Sequence, residues 1–227
     1  MATKATEVIT IKPIEVETFT IRIVGDSPLI MHAWSEKAKR EMLEAQQGKK
    51  KVKTETERKN PIHDFVQSMY WLEGKPDIEP SMTDEESEEA FVKAIKNGAR
   101  LGFPCCAFKQ AGNSAAYRMG WVKNQMGLRG AYFIEADNED GLVEIHSDVP
   151  EMREDMVRIG MGTADIRYRG MFSNWYADLK IQYNKNGQYS KNDIVNILNA
   201  GGFICGAGEW RPEKDGQYGM YHVETAK

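Results

Sequence analysis

Two well-separated stretches of this 227-residue chain alternate apolar and polar side chains with a period of two. Glu17 to Val24 reads E-T-F-T-I-R-I-V, and Trp175, Ala177, Leu179, Ile181 and Tyr183 occupy every second position. Side chains along a strand point alternately to opposite faces, so this spacing predicts strands with one buried and one solvated face. With Ile166 and Tyr168 included, Asp165 to Tyr183 reads as one long hairpin. Ala131 to Ala136 and Leu142 to His146 predict two more strands, separated by the polar turn Asp137 to Gly141. Short strands are also expected at Phe203 to Cys205 and Tyr218 to Val223.

Helix signals fall between these strands. Ser35 to Gln47 carries a thin apolar stripe (Ala38, Met42, Ala45) and stops at Gly48. Asn60-Pro61 reads as an N-cap with proline at the first helical position, ahead of Phe65, Val66, Met69 and Tyr70. Thr83-Asp-Glu-Glu is a capping box opening a helix that packs Ala90, Phe91, Ala94 and Ile95 and stops at Gly98. From Pro104, the residues Phe108, Ala111, Ala115, Met119 and Val122 share one helical face, weakened by Gly112 and Gly120. Ser190 to Asp193 caps a last helix bearing Ile194, Val195, Ile197 and Leu198, with Gly201-Gly202 as its stop. Interleaved helices and hairpins predict an α+β fold with a mostly antiparallel sheet, built as one elaborated domain.

Composition narrows the function classes. No run of about 18 apolar residues exists, which predicts no membrane span. The segment Met1 to Glu7 lacks an apolar signal core, which predicts a cytoplasmic protein. Cys105, Cys106 and Cys205 form neither a disulfide framework nor a C-x-x-C pair. No Walker A, G-x-S-x-G or post-strand G-x-G-x-x-G motif occurs, and no cofactor or metal is expected. Of His32, His63, His146 and His222, none pairs with another at i+2 or i+4. His63-Asp64 is the one catalytic-looking neighbour pair, and a metal-dependent nuclease built on it is the third-ranked reading. His32, between Leu-Ile-Met and Trp34, suits packing first and a ligand contact second.

The net charge of −4 is distributed unevenly. Phe91 to Ile134 holds seven cations (Lys93, Lys96, Arg100, Lys109, Arg118, Lys123, Arg129) and no acid. Asp77 to Glu89 holds seven acids and no base, and Glu135 to Asp155 nine acids against one arginine. On the helix after Pro104, Gln110, Asn113, Ser114, Tyr117, Trp121 and Asn124 lie opposite the apolar face, with Lys109 and Arg118 at its margins. Aromatic rings stack on unpaired bases and cations neutralise phosphates, so this face is a candidate nucleic-acid surface. Packing under another layer of the same protein, or docking another protein, fits the same face. The run Lys49 to Lys59 reads as a solvated loop or as a basic arm on phosphates.

Gly206 to Gly219 is the most distinctive segment: glycines frame a polar loop that can wrap a phosphate or a facing helix. Gly-apolar-Gly, a polar spacer and Gly-x-aromatic-Gly before a final strand resembles the glycine-rich loop of the RAMP superfamily, ferredoxin-like RNA-binding proteins of CRISPR effector complexes. Gly25-Asp-Ser-Pro-Leu-Ile-Met-His32 is similar to the first strand–loop region of its Cas7-like members. Met152 to Gly160, Gly162 to Arg169 and Gly208 to Lys214 also resemble an uncharacterised group of phage and prophage proteins. The resemblance implies a ferredoxin-like core (about 8–33 and 131–227) with a large helical, basic insertion (about 34–130). It also implies that the basic stretch and the glycine loop, with Arg211 and Lys214, share a groove. The expected function is therefore non-catalytic binding of single-stranded RNA or DNA through Lys96, Arg100, Lys109, Tyr117, Arg118, Trp121, Lys123, Arg129, His32, Arg211 and Lys214. Assembly of copies along that ligand is part of the expectation. The alternative is a phage protein-interaction module that self-assembles or inhibits a host defence complex.

Overall fold

The computed structural model describes residues 13–48, 59–159 and 163–224. The charged run lies outside them up to residue 58. The chain begins with β1 (Val16–Gly25), β2 (Leu29–Met31), α1 (Glu36–Gln46), α2 (Pro61–Gln67), β3 (Tyr70–Glu73), α3 (Asp84–Lys96) and β4 (Arg100–Pro104). It continues with α4 (Cys105–Arg118), α5 (Met126–Arg129), β5 (Tyr132–Ile134), β6 (Leu142–Glu144), β7 (Glu151–Ile159) and β8 (Thr163–Phe172). It ends with β9 (Tyr176–Asn184), α6 (Lys191–Ile204) and β10 (Tyr221–Val223). The fold is α+β, with three antiparallel sheets ordered β10-β1-β9-β5, β2-β8-β7 and β3-β4-β6. No helix among the described residues is long and apolar enough to cross a membrane.

The alternating stretches form the centre of the first sheet. β1 and β9 pair from Val16 opposite Asn184 to Val24 opposite Tyr176. Phe19, Ile23, Ala177, Leu179 and Ile181 are buried beneath the helices, while Thr18, Thr20, Arg22, Asp178 and Lys180 face solvent. The capping signals also appear as read. Asn60 accepts from the His63 amide at 2.9 Å, and Thr83 and Glu86 form the reciprocal box. α1 presents Met42 and Ala45 to solvent, so its thin stripe buries little.

Strand pairing departs from the sequence reading at three places. Residues 165–183 do not form a hairpin: β8 pairs with β7, and β9 with β1. Between them Asn174 takes φ +50° and Trp175 turns into the core, where Nε1 donates to the Ser27 carbonyl at 2.8 Å. That turn moves the chain from one sheet to another. β5 and β6 are likewise not partners; β5 joins β9 and β6 joins β4, so the Asp137–Gly141 turn links two sheets. Finally, Phe203 to Cys205 is not a strand, because α6 continues through Gly201-Gly202 to Ile204.

The glycines remain helical because of what they touch. Gly201 lies against the α4 backbone at Gly112, and Gly202 against Tyr221, so a Cβ at either position would overlap its neighbour. Close packing offsets the roughly 1 kcal/mol that glycine costs inside a helix. Similarly α2 ends at Gln67 rather than reaching Tyr70. The Ser68 hydroxyl donates to the Phe65 carbonyl at 2.6 Å and accepts from the Gly170 amide at 3.0 Å, turning the chain into β3.

Where α4, β4, β9 and β10 meet, Phe103, Phe108, Trp175 and Tyr221 form a connected aromatic cluster with centroids 5.6–6.3 Å apart. The Tyr221 hydroxyl is buried there without a hydrogen-bond partner among the described residues. A buried unmade hydrogen bond costs about 1–3 kcal/mol, so Tyr221→Phe should leave stability unchanged or raise it by about 1 kcal/mol in urea unfolding. Gly202→Ala should lower stability by about 3 kcal/mol, because the new methyl meets backbone rather than a movable side chain.

Candidate nucleic-acid interface

α4 is the element on which the predicted surface rests. Pro104 precedes it, and Gly120 (φ +71°) closes it. The Trp121 amide donates to the Ala116 carbonyl and the Gly120 amide to that of Tyr117, at 3.0 and 3.1 Å. These two bonds make a Schellman motif, which satisfies the last carbonyls and throws the chain outward. Tyr117 and Trp121 flank this turn and are about half exposed (52% and 50%). Met119 between them and Met126 at the start of α5 are exposed as well.

The polar face is narrower than the helical wheel predicts. Gln110, Tyr117, Trp121 and Asn124 face solvent, but Asn113 and Ser114 are buried. α4 is covered on two sides, by the sheet and by α6, and Asn113 Oδ1 accepts the Tyr132 hydroxyl at 3.0 Å. Its predicted apolar face also shortens, since Met119 is exposed beyond the helix end.

The cations of the basic stretch do not form one surface. Arg100 on β4 donates two hydrogen bonds to Glu144, at 2.9 and 2.6 Å, and that bidentate clasp raises its pKa. Lys109 donates to the Arg129 carbonyl at 2.7 Å and lies 4.0 Å from the Phe133 ring centroid, and burial lowers its pKa. Arg118 reaches Glu213 at 3.1 Å, and Arg211 grips the other oxygen of the same carboxylate at 2.9 Å. Four predicted phosphate contacts thus already have a partner within the chain, although Arg100 and Arg118 remain partly exposed. Lys96 is exposed on α3, beside Glu85, Glu88 and Glu89 along one groove. Lys123, Arg129 and Lys214 are exposed and make no ion pair with a described side chain. Of these three, Lys123 lies two residues after Trp121 and Arg129 eight.

The glycine loop holds the protein's own strand β2. The Glu209 amide donates to the Ile30 carbonyl at 2.9 Å, and the Gly219 amide to that of Pro28 at 2.8 Å. Gly208 and Gly219 have positive φ, and a Cβ on Gly208 would overlap the Ile30 carbonyl. The backbone approach that glycine permits is therefore used on a strand, where a phosphate or a helix was expected.

Beneath the loop lies a polar centre that the sequence reading missed. Asp155 on β7 accepts from Arg153 at 2.9 Å, Arg169 at 2.9 Å and Trp210 Nε1 at 3.2 Å. Arg153 also donates to the Tyr218 hydroxyl at 3.0 Å. Burial opposes the charge of Asp155, but the hydrogen bonds from Arg169, Arg153 and Trp210 outweigh it and hold its carboxyl below the ordinary 3.8. His32 sits at the edge of this centre, its Nδ1 3.4 Å from Arg169 Nε. Burial, then the Arg169 cation, lower its pKa, so His32 is a neutral imidazole near neutral pH and not a phosphate-binding cation. The signal in the sequence was the charged alternation of R-E-D and R-Y-R, which puts Arg153 and Asp155, and Arg167 and Arg169, on matching faces of a hairpin.

His32 also lines a cleft of about 780 Å³ with Trp34, Lys59, His63, Asp64 and Arg167. There Lys59 donates to Asp165 at 3.0 Å, and His63 Nδ1 is 3.2 Å from Asp64. Among the described residues, no three His, Cys, Asp or Glu side chains converge in a way that would hold a metal ion. No protein-family model matches this chain, and no curated protein matches it.

Asp155 neutralises two arginines in the buried centre, so Asp155→Ala should cost about 3 kcal/mol at neutral pH, because buried Arg169 would keep only Glu209, 4.0 Å away, as a counter-charge. The folded-state pKa lies below the unfolded value of 3.8, so this stabilisation is complete above 3.8 and lost as pH falls through the folded value. Denaturant titrations of both proteins from pH 7 downward should therefore converge at acid pH.

Proposed function

We propose that this chain is a non-catalytic, ferredoxin-like protein that binds single-stranded nucleic acid at the C-terminal end of α4. The order β10-β1-β9-β5, with α4 between β1 and β5 and α6 between β9 and β10, supports the ferredoxin-like part. Two split βαβ units joined in this way interleave their strands and leave both helices on one face. In this reading α4 belongs to the core, and the inserted segments are residues 26–104 and 135–175. That order is also what the RAMP likeness requires, and descent from a phage or prophage protein rests on the likeness alone.

The observation that carries the binding reading is the α4 terminus itself. Tyr117 and Trp121 are each about half exposed, and Lys123 and Arg129, two and eight residues after Trp121, are exposed cations with no described carboxylate partner. A strand of unpaired nucleotides needs both: rings that stack on any base, and cations that displace counterions from phosphate. A second reading, docking of another protein, is favoured by the exposed apolar side chains Met119, Met126 and Phe203. Methionine and aromatic side chains without matching cations at every step are what a protein partner buries.

Fluorescence anisotropy with a labelled single-stranded oligonucleotide separates the readings. Trp121→Ala should weaken binding about tenfold, in line with roughly 1–3 kcal/mol per stacked base. Lys123→Ala with Arg129→Ala should reduce the slope of log affinity against log salt by about 1.4, the loss of two single-strand phosphate contacts. Arg118→Ala should change that slope little, because Glu213 already neutralises it. No binding to any oligonucleotide at low salt would overturn the proposal and leave the protein-docking reading.

A further inference from the structure

β7 is the longest described strand that pairs on one side only. It follows β8 in unbroken register, from Glu151 opposite Met171 to Ile159 opposite Thr163. No backbone hydrogen bond joins its other side to any described residue. An open edge presents a row of N–H and C=O groups that templates another strand, and proteins guard such edges with charged side chains, proline, a bulge or brevity. Glu151 to Ile159 holds no Lys or Pro, shows no register shift and runs for nine residues, so charge is its one guard, and it is a guard that a partner of matching charge removes. Its inward charges, Arg153 and Asp155, are already neutralised within the chain.

We propose that β7 pairs antiparallel with β7 of a second copy of this chain, about a two-fold axis through Met156. An axis that relates two antiparallel edges in one sheet stands perpendicular to it, so each residue keeps its face and the axis passes through a residue position. That leaves few registers. Centring on Glu154 or on Asp155 sets a carboxylate against its own copy, which is unfavourable directly across a sheet. Centring on Val157 places Met156 opposite Arg158 and matches no charges. Centring on Met156 places Glu154 opposite Arg158 of the second copy, twice by symmetry, with methionine against methionine between the two pairs.

The side chains required are available. Glu154, Met156 and Arg158 are exposed on one face, Met156 at 79%. Opposite Glu154 and Arg158 on β8 stand Tyr168 and Ala164, so neither charge is committed within the hairpin. Ile166, opposite Met156 and itself partly exposed, widens the apolar centre. The pairing closes on itself as a dimer and uses no residue of the α4 terminus, so it stands apart from the nucleic-acid reading.

Sedimentation of the full chain over a concentration series, without nucleic acid, should show a monomer–dimer equilibrium. Glu154→Arg and Arg158→Glu should each weaken the dimer about tenfold by turning two attractive pairs repulsive. The double variant E154R/R158E restores opposite charges across the axis and should recover wild-type dimerisation. In a Cys106→Ser background, Met156→Cys should give an oxidised dimer linked through position 156, since residues directly opposite lie within disulfide reach. A monomer at every concentration overturns the proposal. So does a dimer indifferent to the single reversals, a double variant no better than either, or a crosslink absent from folded M156C as judged by circular dichroism.

Discussion

The seating of Trp175 on Gly25 is the contact on which the architecture depends. The indole lies where any side chain at residue 25 would stand, and its N–H is satisfied by the Ser27 carbonyl. The Gly25 amide in turn donates to the Trp175 carbonyl at 2.8 Å. This one locus fixes the end of β1 against the start of β9, and it meets Phe108 of α4 and Tyr221 of β10. A buried tryptophan contributes a large apolar area, yet its N–H must find a partner. Both demands are met only if the chain turns between β8 and β9, which is why those strands belong to different sheets.

A second polar constraint holds the glycine loop. Asp155 gathers Arg153, Arg169 and Trp210, and Tyr218 completes the set through Arg153. The loop's amides meanwhile bond the carbonyls of Pro28 and Ile30. Buried charges are tolerable when each is paired and hydrogen-bonded. Here the partners come from the β7–β8 hairpin and from residues 55 and 65 positions further along, so the centre ties that hairpin to the C-terminal loop. His32 and Arg211, read from the sequence as ligand contacts, belong to this structural scaffold.

The charge segregation along the chain has a different meaning in three dimensions. The acid-free stretch does not remain a free basic surface, because carboxylates from elsewhere reach it. Glu144 takes Arg100, and Glu213 takes Arg118 and Arg211 together. Lys93, Lys96, Lys123 and Arg129 stay exposed without an ion pair to a described side chain, and of these Lys123 lies two residues after the half-exposed Trp121.

Much of the local structure was legible. Period-two alternation located β1 and β9, and the capping residues Asn60, Thr83 and Ser190 opened α2, α3 and α6. These signals work because strand pleating and helix ends are settled by neighbours within a few residues. The α+β class followed from them, whereas the helical wheel left open whether Tyr117 and Trp121 are exposed or covered by another layer. Strand partners did not follow, nor did the helical state of Gly201-Gly202 or the burial of Asn113 and Ser114. Those depend on groups distant in sequence: Gly112 for Gly201, Tyr221 for Gly202 and Tyr132 for Asn113. The same division runs through the candidate site. Sequence by itself placed aromatic rings and cations at the end of α4; tertiary structure alone decided which cations meet a carboxylate of the same chain, because an ion pair forms by distance in space and not along the chain.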